Sequence, residues 1–504
     1  MHTLNQSDFF TRRNFTLVLF FLTALLIFSM RPIDDCDILT QINLGYLGFE
    51  KFVKSEPLIY WKSDQVIPNP GWLAQLTFAT VDKMGGLSLV RFVYAALLAS
   101  CFTLMLIVTL RSIHKNYSVV SYFFGGFFGV LIILSNSSAR PQGFSLFCCA
   151  LLFCLHYSNI SYSRKLILLT LIGLAWQNFH PSLPVGILIY GILSLQDFKK
   201  ERLRFWLLRL FPNLAILTAC CFLTPEGFSL LKVSYEAQSI SRLLGISEWL
   251  PAWSRAVMPA LMPFYFFLFL GSIFILLKNK SFKIVEYDLF VVFSALTLYT
   301  ARFSFYLGLM AVPFFVKMLE QIRPNNFFEW YPNESIKKSY FIRIVLILAA
   351  IFFCMTSFQN PLSSFYPRKA IAALKNYPDV ERIFNYREYA GALNYWGDKK
   401  WKLFIDGRLY LYPPPIWDIY QGIALGDKDS LEKLFTDYRA DALFLRKSYF
   451  SGFLRAIEEN NLYKNQWRKI YEDSETVIFV SNNLNVKRAG FKNGLSLFSI
   501  YTGP

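Results

Sequence analysis

The sequence predicts an all-α polytopic membrane protein with about eleven transmembrane helices and an extramembrane α/β domain at its C-terminal end. Three observations predict this. Of 504 residues, 54% are hydrophobic and only 17% are charged, whereas soluble domains carry about a quarter charged residues. Apolar runs recur between residues 14 and 358. The basic residues collect in every second connection between those runs, as membrane topology demands.

The first run, 14–30, follows Arg12 and Arg13. It has the charge and length of a signal peptide, but no small-residue cleavage site follows it. It therefore reads as an uncleaved anchor with its N-terminus in the cytoplasm. Further spans are expected at 87–110, 119–134, 144–155, 166–176, 183–195, 205–223, 261–277, 289–300, 303–316 and 341–358. Several fall short of the ~20 residues of a full crossing. They are expected to run on into flanking polar residues, or to be broken helices around a cavity.

Charge orients these spans. The connections expected in the cytoplasm hold Arg111 and Lys115; Arg164 and Lys165; Lys199, Lys200, Arg202 and Arg204; Lys278, Lys280 and Lys283; and Arg323, Lys337, Lys338 and Arg343. The short connections on the other side hold Arg140 and Arg302 and almost nothing else basic. This sidedness accounts for much of the net charge of +17. No basic stripe with interleaved aromatics is present, so a nucleic-acid partner is excluded. An odd number of spans places the C-terminus outside. Cys101, Cys148, Cys149, Cys154, Cys220, Cys221 and Cys354 lie in apolar runs and read as small packing residues, while Cys36 stands in an outer segment. No cysteine pair has zinc-site spacing.

The expected organisation is a transmembrane domain over 1–358, with outer loops at 31–86 and 224–259, followed by an outer domain over 359–504. In that domain, 382–386, 402–405, 442–445 and 476–480 read as short buried strands, and 430–438 and 449–460 as amphipathic helices.

The chemistry-bearing stretch is Arg31-Pro-Ile-Asp-Asp-Cys-Asp37. Asp34, Asp35 and Asp37 follow directly on the first span. Crowded like charges at a low-dielectric boundary repel, which equips a carboxylate to take a proton from an attacking hydroxyl. The alternative is a solvated loop that ends the helix. Two amphipathic segments follow. One, 38–54, carries Ile38, Ile42, Gly45 and Phe49; the other, 71–84, carries Trp72, Leu73, Leu76 and Val81. Both have the spacing of helices lying on a membrane surface.

This arrangement resembles the first outer loop of the C-type (GT-C) superfamily of membrane glycosyltransferases. Further motifs in the same order resemble its bacterial polyprenyl-phosphate-sugar-dependent, PMT/ArnT-like branch. They are Asp35-Cys36-Asp37 with Gly45, Trp72-Leu73, Arg140-Pro141, Trp176-Gln-Asn178-Phe-His180, Thr224-Pro-Glu-Gly227, Ile246-Ser-Glu248-Trp249, and Asp406-Gly407-Arg408 with Tyr412. Ile38, Leu39 and Gln41 stand where the branch carries aromatics and a histidine.

The resemblance implies a GT-C fold in the bacterial inner membrane with a periplasmic C-terminal domain. It also implies transfer of a sugar from a polyprenyl-phosphate donor to a lipid or glycan acceptor on the outer side. Asp35 or Asp37 would be the general base, with Asp34 beside them. Phosphate chemistry nominates outer-side cations, Arg140, Arg302, Arg255 and His180, since arginine pairs phosphate bidentately. Snorkelling is the structural alternative for the two arginines. Glu248 and Glu226 are acids on the same side, suited to orienting an acceptor or to holding magnesium or manganese alongside Asp35. Trp72 completes the expected substrate contacts. Asp406-Gly407-Arg408 is expected to be a tight turn, and the outer domain to position acceptors. A transporter or flippase of a lipid-linked glycan is the rival reading, but it needs charges near the midplane of the spans, and few are present there. A non-catalytic scaffold for envelope assembly is the third.

Overall fold

Apolar periodicity becomes helix at each expected span that can be followed. The computed structural model describes residues 6–63, 65–113, 118–198, 202–278, 284–322, 363 and 365–482. The expected span at 341–358, Cys354, and the basic residues Lys115, Lys199, Lys200, Lys280, Lys283, Arg323, Lys337, Lys338 and Arg343 lie outside the described residues. The helices of the first three-fifths of the chain are α1 Gln6–Ser29, α2 Cys36–Glu50, α3 Trp72–Val108, α4 Val119–Ile133, α5 Gln142–His156, α6 Tyr162–Phe179, α7 Leu183–Phe198, α8 Leu203–Cys220, α9 Ser229–Leu243, α10 Met262–Lys278, α11 Ile284–Tyr299, α12 Ser304–Met310 and α13 Val312–Ile322. The short apolar runs do extend into polar flanks: 166–176 grows to α6 and 289–300 to α11. Among the described residues, three helices are long and apolar enough to cross a membrane, or four if the pair α12 and α13, bent by 59°, counts as one broken span. Five more apolar helices are shorter. Length and composition therefore support a membrane protein without reaching eleven crossings.

The chain divides into two units. One comprises Met1–Ile33 and Leu87–Pro361, the other Asp34–Gly86 and Leu362–Pro504. A division falls inside α3, where Gly85 and Gly86 leave helical geometry and Gly86 adopts φ +66°, a conformation open to glycine at little cost.

In the first unit the helices meet through small residues and stacked rings. Gly129 of α4 faces Gly308 of α12 so closely that a Cβ on either would strike the other's backbone. Small residues drive close approach where lipid supplies no hydrophobic force. Phe290 and Phe314 stack at 4.1 Å, and Trp176 is fully buried with its ring against Gly186.

The second unit is built on a five-stranded mixed sheet, in the order β2-β1-β3-β5-β4, of β1 Arg382–Asn385, β2 Lys402–Leu403, β3 Ala442–Arg446, β4 Trp467–Glu472 and β5 Thr476–Ser481. β1 runs parallel to β2 and β3; β5 runs antiparallel to β3 and β4. Around it lie α14 Arg368–Leu374, α15 Ala390–Trp396, α16 Pro414–Leu425, α17 Lys428–Lys433, α18 Ser451–Glu459 and α19 Asn461–Gln466. The segment read as the first outer loop belongs to this unit, because α2 packs on α15. Gly391 of α15 sits on the Cys36 carbonyl, and Gly45 of α2 on the Gln75 carbonyl of α3; neither contact leaves room for a side chain. The surface-helix reading of α2 is corrected accordingly. Its stripe of Ile38, Ile42 and Gly45 is buried against protein, and only Leu47 and Phe49 of its large apolar residues are exposed.

Candidate functional site

The acids of the second unit are set by the start of α2. Asp35 is its N-cap: the backbone is extended there, and its Oδ1 accepts from the Asp37 amide at 2.7 Å. A helix N-terminus favours a carboxylate electrostatically as well as through this bond. Asp35 is buried, and its carbonyl accepts from the Tyr366 hydroxyl at 2.8 Å. Asp37, within the first turn, is half-buried, and Asp34 is exposed. Between them the Cys36 thiol lies 3.5 Å from Asp37 Oδ1. Burial first, then the Asp37 charge, pushes that thiol well up, with Arg387 offsetting part of the shift.

Asp37 is held from the far side by the Asp406-Gly407-Arg408 segment. A Cβ at 407 would collide with Asp37 Oδ1. Gly407 does not adopt a positive φ, so space rather than backbone freedom demands glycine. Its neighbours are fixed by a buried ion triad. Arg408 donates through Nε to Asp406 Oδ2 at 2.8 Å and through Nη2 to Glu56 Oε1 at 2.9 Å. Asp406 also accepts from the Tyr412 hydroxyl at 2.9 Å, and Glu56 from the Leu58 and Ile59 amides at 2.7 and 3.1 Å. The segment is the tight turn expected, with the Arg408 amide donating to Asp406 Oδ1 and the Leu409 amide to the Gly407 carbonyl, each at 2.9 Å, and it also lies against the Asp37 carboxylate.

The first unit gathers four of the expected substrate contacts. Glu248 bridges two arginines: Arg140 Nη1 to Oε2 at 2.6 Å and Arg302 Nη1 to Oε1 at 2.8 Å. Arg302 also covers the Trp249 ring at 4.5 Å, so Glu248 holds an edge of the guanidinium and Trp249 its face. Burial alone would raise the Glu248 carboxyl, but Arg302 and then Arg140 bring it below its ordinary range. His180, the C-cap of α6, hydrogen-bonds Ser182 Oγ at 2.8 Å through Nδ1. Desolvation, then the Arg302 charge, pushes its imidazole down to about 3, so it is neutral. Ser182 also takes hydrogen bonds from Trp176 and Tyr306, each at 3.0 Å, and lies 2.9 Å from the Ser145 hydroxyl.

Two expected contacts lie elsewhere. Arg255 is exposed on the connection before α10, and Trp72 packs edge-to-face on Phe52 in the second unit at 6.1 Å. Sequence reasoning missed Ser182, Tyr306, Arg387 and Tyr366. Ser182 follows His180 by two residues and was within reach; the others carry no local signal.

For a divalent cation, the oxygens of Asp35 and Asp37 and the sulfur of Cys36 lie within 4.8 Å of one another. The two carboxylates suit magnesium or manganese, but a thiol kept protonated does not. Two hard donors are a partial set, and an ion held there would supply charge stabilisation.

No known family model matches the chain, and no curated protein matches it in sequence. Its structure is similar to the crystal structure of the Archaeoglobus fulgidus oligosaccharyltransferase in the apo form, with a TM-score of 0.51 over 94% of this chain and 75% of that one. At 10% identity the likeness is one of fold, and it supports the GT-C fold expected from the sequence.

Proposed function

We propose that this chain is a GT-C-type membrane glycosyltransferase, moving a sugar from a polyprenyl-phosphate-linked donor to an extracytoplasmic lipid or envelope-glycan acceptor. The observation that carries the reading is the Asp37 carboxylate: half-buried, beside the α2 N-terminus, and braced by Gly407. The proposed setting is the bacterial inner membrane, with the N-terminus cytoplasmic and the C-terminal unit periplasmic.

Asp37 is assigned as the base, because Asp35 is committed to capping α2 and Asp34 is exposed. The acceptor O–H gives its proton to Asp37. The freed oxygen pair forms the bond to the anomeric carbon as the carbon–phosphate-oxygen bond breaks. The bonding pair leaves with the phosphate, and the configuration inverts. Separately, in the first unit, Arg140 and Arg302 are assigned to a lipid phosphate. Glu248 orients both guanidiniums, and arginine pairs phosphate bidentately. Neutral His180 is assigned to hydrogen-bond donor hydroxyls. No step is routed through a metal.

The test is sugar transfer from a synthetic polyprenyl-phosphate sugar by purified protein in detergent, comparing wild type with Asp37→Asn and Asp35→Asn. Detergent separates an enzyme from a flippase, which needs a sealed vesicle to show its action. Full transfer by both variants rules the reading out.

A further inference from the structure

A cavity of about 250 Å³ opens in the first unit among α5, α6, α7 and α8, at the opposite end of α5 and α6 from Arg140 and His180. Its lining is unusual for an apolar bundle: His156, Lys165, Tyr190, Asp197, Arg209 and Asn213. The side chains are organised. His156 Nε2 lies 3.8 Å from Asp197, Lys165 Nζ donates to the His156 carbonyl at 3.1 Å, and Asn213 donates to the Tyr190 hydroxyl at 2.5 Å. Two permanent cations against one carboxylate leave the cavity net positive. Polar and charged groups among membrane helices are costly and mark binding sites. Elsewhere on the same helices, Ile167, Leu168 and Leu171 of α6 and Leu208 and Phe211 of α8 are exposed, an apolar surface fit for a lipid environment.

We propose that this cavity binds the phosphate headgroup of an anionic phospholipid, with Lys165 and Arg209 contacting the phosphate. None of these residues belongs to the proposed transfer site, so the two readings stand or fall separately.

The experiment is native mass spectrometry of the full chain in detergent, titrated with phosphatidylglycerol, phosphatidylcholine or inorganic phosphate. The double variant Lys165→Ala/Arg209→Ala is compared with Asp197→Asn. Wild type is expected to bind phosphatidylglycerol in preference to phosphatidylcholine. The double variant is expected to lose roughly tenfold or more in affinity, since each basic residue contributes separately. Asp197→Asn, which removes the opposing charge, is expected to bind a few-fold tighter. Because that variant gains, a folding defect cannot imitate its result. Equal binding of the two lipids, unchanged phosphatidylglycerol affinity in both variants, or competition by inorganic phosphate as strong as by the lipid overturns the proposal.

Discussion

Among the described residues, two ion triads built around arginine follow opposite plans. In the second unit one arginine, Arg408, meets two acids, Asp406 and Glu56, with side chains 4%, 0% and 0% exposed. In the first unit two arginines, Arg140 and Arg302, meet one acid, Glu248, with side chains 29%, 24% and 21% exposed. The closed triad carries net negative charge and surrounds itself with backbone amides and the Tyr412 hydroxyl. Such a group holds a shape, because a buried ion survives only when its partners are fixed. The open triad keeps its arginines within reach of water. That exposure suits it to take an anion in and let it go.

The largest effect that would break this comparison is expected at the closed triad. Arg408→Met leaves two buried carboxylates without their cation, and should destabilise the second unit by about 3–5 kcal/mol. Chemical denaturation checks it; a loss under 1 kcal/mol would mean the triad is not a brace. At the open triad, Arg302→Gln should leave stability near wild type but slow transfer by about 10²–10³-fold, the scale for removing one donor to a developing anion. Steady-state rates beside a melting curve separate the two. Gly407→Ala is intermediate in kind. It adds one methyl against Asp37, and should slow transfer by about tenfold to a hundredfold through misplacement of the base, with donor affinity unchanged in a binding assay.

The smallest effect is a pH dependence confined to the open side. His180 is pushed down to about 3 in the fold, against about 6.5 unfolded. The unfolded chain therefore binds the extra proton between those values. The contribution is complete above pH 6.5 and is lost as the pH falls toward 3. Glu248, also lowered, adds its loss below the ordinary carboxylate range. Thermal melting at pH 7 and pH 5 should show a decrease in wild type that His180→Gln reduces.

How much was legible followed from how local each cause is. Apolar helices announce themselves through apolar runs, so α4, α5 and α8 fall within a few residues of expectation. Buried strands do so too: β3 and β5 begin at the expected residues, Ala442 and Thr476. The edge strand β4 was missed because half of its residues, Arg468, Lys469 and Glu472, are exposed and break the apolar run. In the site, Glu248, Arg140 and Arg302 were readable as isolated charges on one side, and the structure pairs them. The brace on Asp37 was not readable. It joins residues about 370 positions apart, 37 and 407, through the absence of a side chain, and a lone glycine in a loop predicts a turn before it predicts a contact.

The central claim is that Asp37 is the base of a sugar transfer. The most direct measurement is single-turnover transfer by Asp37→Asn in detergent, with donor binding measured in parallel. The account predicts a rate lowered by about 10²–10⁴-fold with donor affinity retained. A wild-type rate in a folded, donor-binding Asp37→Asn protein would contradict it.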